Sequence, residues 1–363
     1  MRSGRRTVLS AAALLLLACS LACVRVLARK VPAEDHAVKL RASERLAACF
    51  DAVRSRKEEL GIPIDPEDRN RTGMLGHAYT PITTTIGNPE AKRTSINPNM
   101  AAVLADMFRE LGLKAGDLVA VNCSGSFPAL NLAVICAAEE YGLRTIMMSS
   151  FGSSSHGAND PECTYPDMED HLFRLGLIRI RSDYVSVGGM EDVGKEMPAG
   201  IRGEIAERLK GLGYSFLYEE DLKRNVRARY GIYRDAGDVR CFVNVGGNDV
   251  SFGDSMVIVH ADGGILTSLP EKDASTGLVQ LFLREGIPVI HLLNIKSIAE
   301  RYGMPVDPVP LPAPGEGGVY MSVSYPKWLA LAGMLGCIAL LFAARGDRAG
   351  KRRASAPRER NEA

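Results

Sequence analysis

Two uncharged apolar runs, one near each end of the chain, constrain this sequence more than anything between them. The first extends from Thr7 to Val24, behind Arg2, Arg5 and Arg6. The second extends from Trp328 to Ala344, ahead of Arg345, Arg348, Lys351, Arg352, Arg353, Arg358 and Arg360. A helical run of about 18 residues is near the lower limit for crossing ~30 Å of hydrocarbon. In the second the heavier positive charge lies clearly on the side away from the middle of the chain; in the first, Arg2, Arg5, Arg6 and the N-terminal amine outnumber Arg25, Arg29 and Lys30 by one. The positive-inside rule then places both ends in the cytoplasm, and two crossings leave residues 31–326 outside it.

The first run also has the three parts of a signal peptide: a basic start, an apolar stretch and small residues beyond it. Leu16-Leu17-Ala18-Cys19 resembles a bacterial lipoprotein cleavage site with Cys19 as the lipidated residue, and Arg5-Arg6 resembles a twin-arginine signal. Each version keeps the middle domain outside, tethered by the C-terminal helix. The expected divisions are therefore 1–30 as signal-anchor or lipoprotein-type signal, 327–345 as transmembrane helix and 346–363 as a basic cytoplasmic tail.

With 363 residues the chain can bury one large core or two modest ones. Its 44 Lys and Arg nearly cancel 43 Asp and Glu, so no positive stripe for a phosphate backbone is predicted, and no nucleic-acid partner. Five cysteines, Cys49, Cys123, Cys136, Cys163 and Cys241, fall in the middle domain. Without CxxC or Cys/His spacing they signal neither a disulfide framework nor a metal site.

Leu40, Leu46, Phe50, Val53 and Leu60 recur at helical spacing, which predicts an amphipathic helix rising from the membrane and ending at Gly61. Residues 61–100, rich in Pro, Thr, Asn and Gly, read as an irregular segment of the kind that often carries function, so 31–100 is expected as a lead-in. From 101 to 305 helices and strands alternate. Strands are predicted at 118–122, 144–148, 241–245 and 288–292. Helices are predicted at 99–111, 128–141, 165–175, 199–212, 219–233 and 275–285, with a last one ending at Gly303. Apolar strands separated by helices imply a mostly parallel sheet covered on both faces, so the expected fold class is α/β, a three-layer Rossmann-like domain. The prolines of 308–314 predict an extended stalk over 306–326.

In open parallel sheets, ligands bind beyond the carboxyl ends of the strands. Four loops there are rich in small polar residues. The candidate ligand-binding residues they contribute are Asn122, Ser124, Ser126, Ser149, Ser150, Gly246, Gly247 and Asn248; the fourth loop begins at His291. A nucleophilic reading takes Ser124 or Ser126 with His156 as base and Asp160 or Asp249 as orienter. The turn lacks the Gly-x-Ser-x-Gly elbow, and Ser126 before Phe127-Pro128 reads equally as a helix cap. Gly246-Gly247 lacks dinucleotide-binding spacing, and there is no P-loop lysine, EF-hand loop or HExxH, so no cofactor or metal is expected.

The segments 123–131, 244–248 and 286–295 resemble those of the bacterial poly-gamma-glutamate system protein family, over nearly the whole chain. The resemblance implies an accessory role in the bacterial cytoplasmic membrane, beside the synthase and export components that make this polymer. It carries over no catalytic residue. Two expectations follow: an accessory domain that binds the polymer, its loops receiving glutamate carboxylates, or that scaffolds the synthase; or an extracytoplasmic serine-type hydrolase or transferase acting on the polymer.

Overall fold

A computed structural model of the chain describes residues 2–269 and 274–354. Arg358 and Arg360 of the expected tail lie outside the described residues. The chain divides into two compact units, one of residues 33–320 and one built from the two ends, 1–32 and 321–363.

The terminal unit pairs two helices, Arg2–Val26 and Lys327–Ala354, and two short antiparallel strands, Arg29–Pro32 and Met321–Ser324. Both helices contain a stretch long and apolar enough to cross a membrane, Thr7–Val26 and Lys327–Ala344. They run closely antiparallel because small residues face the contact. A Cβ added to Gly333 would lie 2.4 Å from Ser20 Oγ, and one added to Gly336 would lie 2.7 Å from Leu16. Beyond them the Cys337 thiol donates to Ala13 O at 3.0 Å. Small-residue faces of this kind let apolar helices pack by close contact. Gly333→Leu should therefore separate them. Oxidising an Ala13→Cys variant, at the residue whose carbonyl the Cys337 thiol already reaches, reads the contact, and adding Gly333→Leu should cut the disulfide yield to about half or less.

In the larger unit seven strands form one sheet. They are β1 (Leu118–Cys123), β2 (Arg144–Ser150), β3 (Tyr184–Ser186), β4 (Ser215–Phe216), β5 (Val239–Val245), β6 (Gly264–Leu266) and β7 (Val289–Leu292). Their order across the sheet is β4-β3-β2-β1-β5-β7-β6, parallel except for β6, which runs antiparallel at one edge. Alternation along β1 splits its side chains between two cores. Val119, Val121 and Cys123 pack with helices α1 (His36–Glu59), α2 (Met100–Glu110) and α3 (Pro128–Tyr141). Leu118 and Ala120 pack with α4 (Leu222–Asp235) and α5 (Leu278–Arg284). β1 is buried along its whole length, as its unbroken apolar run requires when both faces are covered.

Three expectations from the sequence are corrected here. The helix expected to rise from the membrane is α1, and it lies in the core: Leu46, Phe50 and Val53 are buried against α2 and α3. The expected lead-in belongs to the same unit, with a short helix at Pro89–Ser95 whose N-cap, Asn88, accepts from Ala91 N. The proline-rich segment is no free stalk over its first half. Asn70 Nδ2 donates to Pro308 O at 2.9 Å, Asn99 Nδ2 donates to Ala313 O at 3.0 Å, and Arg93 makes a two-pronged pair with Asp307. All five cysteines of this unit are buried free thiols.

Candidate functional site

From β1 the chain winds one way through β2, β3 and β4, then returns to place β5 on the other side of β1. The β1/β5 boundary is thus the point where winding reverses, the place where ligand crevices open in sheets of this kind. Asn122 pairs with Asn244 and Cys123 with Val245, so the two strands end level and their loops emerge side by side. Gly246 makes this possible. Its φ is +78°, and a Cβ there would stand 2.5 Å from Ser124 Oγ.

Over this boundary lies a cavity of about 180 Å³, lined by Thr84, Thr85, Ser124, Ser126, Ser150, Gly152, Gly189, Met190, Glu196, Gly247, Asn248 and Asp249. Of the residues predicted for ligand binding, Ser124, Ser126, Ser150, Gly247 and Asn248 line it. Asn122 and Gly246 form its support, and the Ser149 hydroxyl is buried without a partner. A larger cleft of about 540 Å³ elsewhere contains Arg174 and Arg208, but these are already paired with Asp170 and Asp167.

The floor is a buried polar network. Asn122 Nδ2 donates to Asn248 Oδ1 at 3.0 Å and to Ser251 Oγ at 2.9 Å, while Asn122 Oδ1 accepts from Arg229 Nη1 at 3.0 Å. Arg229, 1% exposed, also pairs with Asp192 and donates to Asn225 Oδ1 at 2.9 Å. Asp192 takes further hydrogen bonds from Ser186 and Asn225. This network fixes the 188–194 loop, in which Glu191 and Asp192 both have positive φ, a conformation that non-glycine residues hold only when their surroundings insist. Glu191 N donates to Asp249 at 2.7 Å, which ties that loop to the one after β5.

The nucleophile, base and orienter proposed from the sequence do not assemble. His156 has its Nδ1 buried without a partner, and no hydrogen bond joins it to Ser124, Ser126, Asp160 or Asp249 among the described residues. Asp160 faces His77 Nε2 at 3.6 Å instead. Asp249 stays at the cavity wall, its carboxyl raised by burial and by the neighbouring Asp192 and Glu191. Ser126 is not a helix cap either: Phe127 occupies the N-cap of α3 and makes no side-chain capping bond, while Ser126 Oγ accepts from Ser154 N at 3.0 Å. Burial pushes the Cys123 thiol well up, which makes it a poor nucleophile. His291 is a core residue, bonded to Asn244 at 3.2 Å, and burial pushes it down to about 4.

The chain was compared with protein-family models, with curated proteins and with solved structures. None of them matches it. The chemistry of the crevice must therefore be read from its own residues. Five hydroxyl side chains and one amide line it together with two carboxylates, and no lysine, arginine or histidine does. A polycarboxylate would meet Glu196 and Asp249 without a compensating cation in the wall.

Thr84 and Thr85 come from the irregular 61–100 segment marked in the sequence as one that often carries function, though neither was singled out; Glu196 and the 188–194 loop were not foreseen. The doubled glycine Gly188-Gly189, like Gly246-Gly247, was the available signal. The sequence reading also missed Lys92, on the short helix Pro89–Ser95. This side chain is buried, its Nζ bonded to Ser126 O and to Ser154 Oγ, the latter at 2.8 Å, and lying 4.0 Å from the centre of the Phe127 ring. Burial alone lowers its pKa from 10.5 to about 7.

Proposed function

We propose that this chain is a membrane-anchored accessory protein of bacterial poly-gamma-glutamate biosynthesis or export, acting as a scaffold for the synthase and export components. On this reading the terminal helices cross the cytoplasmic membrane, and residues 33–320 form a three-layer, Rossmann-like domain on its outer side. The observation that carries it is one α/β unit bracketed in sequence by two candidate spans, with a hydroxyl-lined crevice in which, among the described residues, no lining serine hydroxyl is hydrogen-bonded to a histidine or lysine. The carboxylates of Glu196 and Asp249 favour scaffolding over seating the polymer's own carboxylates in that crevice. The resemblance of segments 123–131, 244–248 and 286–295 supplies the polymer.

The test is the size and location, cell-bound or free, of polymer from cells carrying wild type, a full deletion, or paired Ser124→Ala and Ser126→Ala changes at normal protein abundance. The deletion should abolish or shift the polymer, and the serine pair should behave as wild type. A deletion with unaltered polymer removes the reading. A serine pair that reproduces the deletion replaces it with crevice chemistry of the hydrolase or transferase kind.

A further inference from the structure

Behind the crevice wall, and independent of the scaffold reading, Lys92 and Ser154 have the geometry of a base and the hydroxyl it activates. The two come from separate parts of the chain, the helix Pro89–Ser95 and the loop after β2, yet Nζ and Oγ lie 2.8 Å apart. Both side chains are buried, and no carboxylate pairs with Lys92 among the described residues. A lysine so placed has no carboxylate to offset the cost of burying its charge; the Ser126 carbonyl and the Phe127 ring favour the ammonium, burial opposes it, and once neutral the amine can act as a base. Its stereochemistry suits that role. One N–H stays on Ser126 O, the Phe127 ring covers another side, and in the neutral amine the lone pair is left to accept from Ser154 Oγ–H.

The pair lies close to the crevice. Ser154 N donates to the hydroxyl of Ser126, which lines the cavity, and Thr84 and Thr85 form both the cavity wall and the strap beside Ser154. That strap is held by Thr84 N on Ser153 O at 2.8 Å and Ser155 N on Thr85 O at 2.9 Å. It passes over the pair at Gly87, where a Cβ would stand 3.0 Å from Lys92 Cε and 3.3 Å from Ser154 Oγ. Beside Gly87, Ile86 is 96% exposed. Displacing residues 84–88 would open the hydroxyl to whatever occupies the crevice.

We propose that Ser154 and Lys92 form a serine–lysine acyl-transfer pair under the 84–88 strap, with a carboxylic amide or ester as its substrate class. Ser154 Oγ bonds to the carbonyl carbon as its proton passes to Lys92 Nζ. The bond from that carbon to the leaving nitrogen or oxygen breaks, and Lys92 returns the proton to the leaving group. Water, or an amine acceptor, then attacks the acyl-serine ester through the same lysine. Its proton ends on Ser154 Oγ as the acyl group departs, so one water is consumed per bond hydrolysed.

The test is covalent labelling of the full-length protein in detergent with a fluorophosphonate, in which the serine oxygen displaces fluoride from phosphorus, followed by peptide mass spectrometry. The expected result is one adduct, on Ser154, formed at a rate that rises with pH and inflects near 7. Ser154→Ala should lose it. Lys92→Met should slow labelling by about 100-fold while the circular dichroism spectrum is retained. The proposal is overturned by folded wild type that gains no adduct on Ser154, by labelling confined to Ser124 or Ser126, or by a Lys92→Met rate equal to wild type. If Lys92→Met does not fold, the wild-type adduct site and pH profile decide alone.

Discussion

Arg229→Ala should lower the unfolding free energy by about 3–5 kcal/mol, read as a fall in the urea midpoint with an unchanged slope. The size of the effect comes from what is left behind. Asp192 is buried and loses its only cationic partner among the described residues, and Asn122 Oδ1 loses the donor that orients its amide toward Asn248 and Ser251. A carboxylate stranded out of water is far more expensive than the ion pair was valuable. Pairing Arg229→Met with Asp192→Asn should therefore recover at least about half of the loss, because asparagine tolerates the positive φ at 192 and carries no charge to strand. A double variant no better than Arg229→Ala would mean that the guanidinium acts through packing alone.

Lys92→Met should do the reverse and stabilise the protein at pH 6, by roughly 1–3 kcal/mol, since the relief of the buried charge, on the order of 4 kcal/mol, is partly offset by the bonds lost at Ser126 O and Ser154 Oγ. The folded protein holds the Lys92 proton only below about 7, and the unfolded chain holds it up to 10.5. Between these values the unfolded state binds more protons, so this group makes wild-type stability rise as pH climbs from about 7 to 10.5. Below 7 its cost is complete. Thermal melts of wild type and variant across pH 6–10 should converge toward the alkaline end, and parallel curves would show that Lys92 is not held neutral. The same substitution removes the base from Ser154, so stability and reactivity would move in opposite directions.

The parts of the fold that were legible in the sequence are those where one physical rule acts alone. Val119 to Asn122 had to be a strand covered on both faces because nothing polar interrupts it before Asn122, and the Thr164–Asp167 capping box marks a helix start by two mutually satisfied donors. Placing the crevice beyond the strand ends needed only the sheet's direction. What was hidden depends on partners remote in sequence. α1 looks like a surface helix because Lys39 and Lys57 are charged, yet both are buried, with Lys39 reaching Asp106 and Val319 O. Lys92 and Arg229 offered no signal for the same reason: a cation beneath a site reads like any solvated cation until the chain closes over it. The proline run of 308–314 misled for a different cause, since extended backbone also suits a strap whose carbonyls are taken by Asn70 and Asn99.

The join between first and last residues of the larger unit bears on when it can form. Lys39 Nζ donates to Val319 O, the Tyr320 hydroxyl reaches Ser43 Oγ at 2.7 Å, and Ala33 N donates to Tyr320 O at 2.9 Å, so the clasp that shuts the domain is made from residues separated by almost the whole unit. At the pace of ribosomal synthesis the stretch between them takes on the order of tens of seconds to emerge. Throughout that interval α1 can already pack its apolar face on α2 and α3, but Lys39 lacks its acceptor at Val319, and β5 waits for β7 beside it. The clasp of the nascent domain thus stays open until just before the second apolar helix is made, which ties the closing of its fold to the synthesis of that helix.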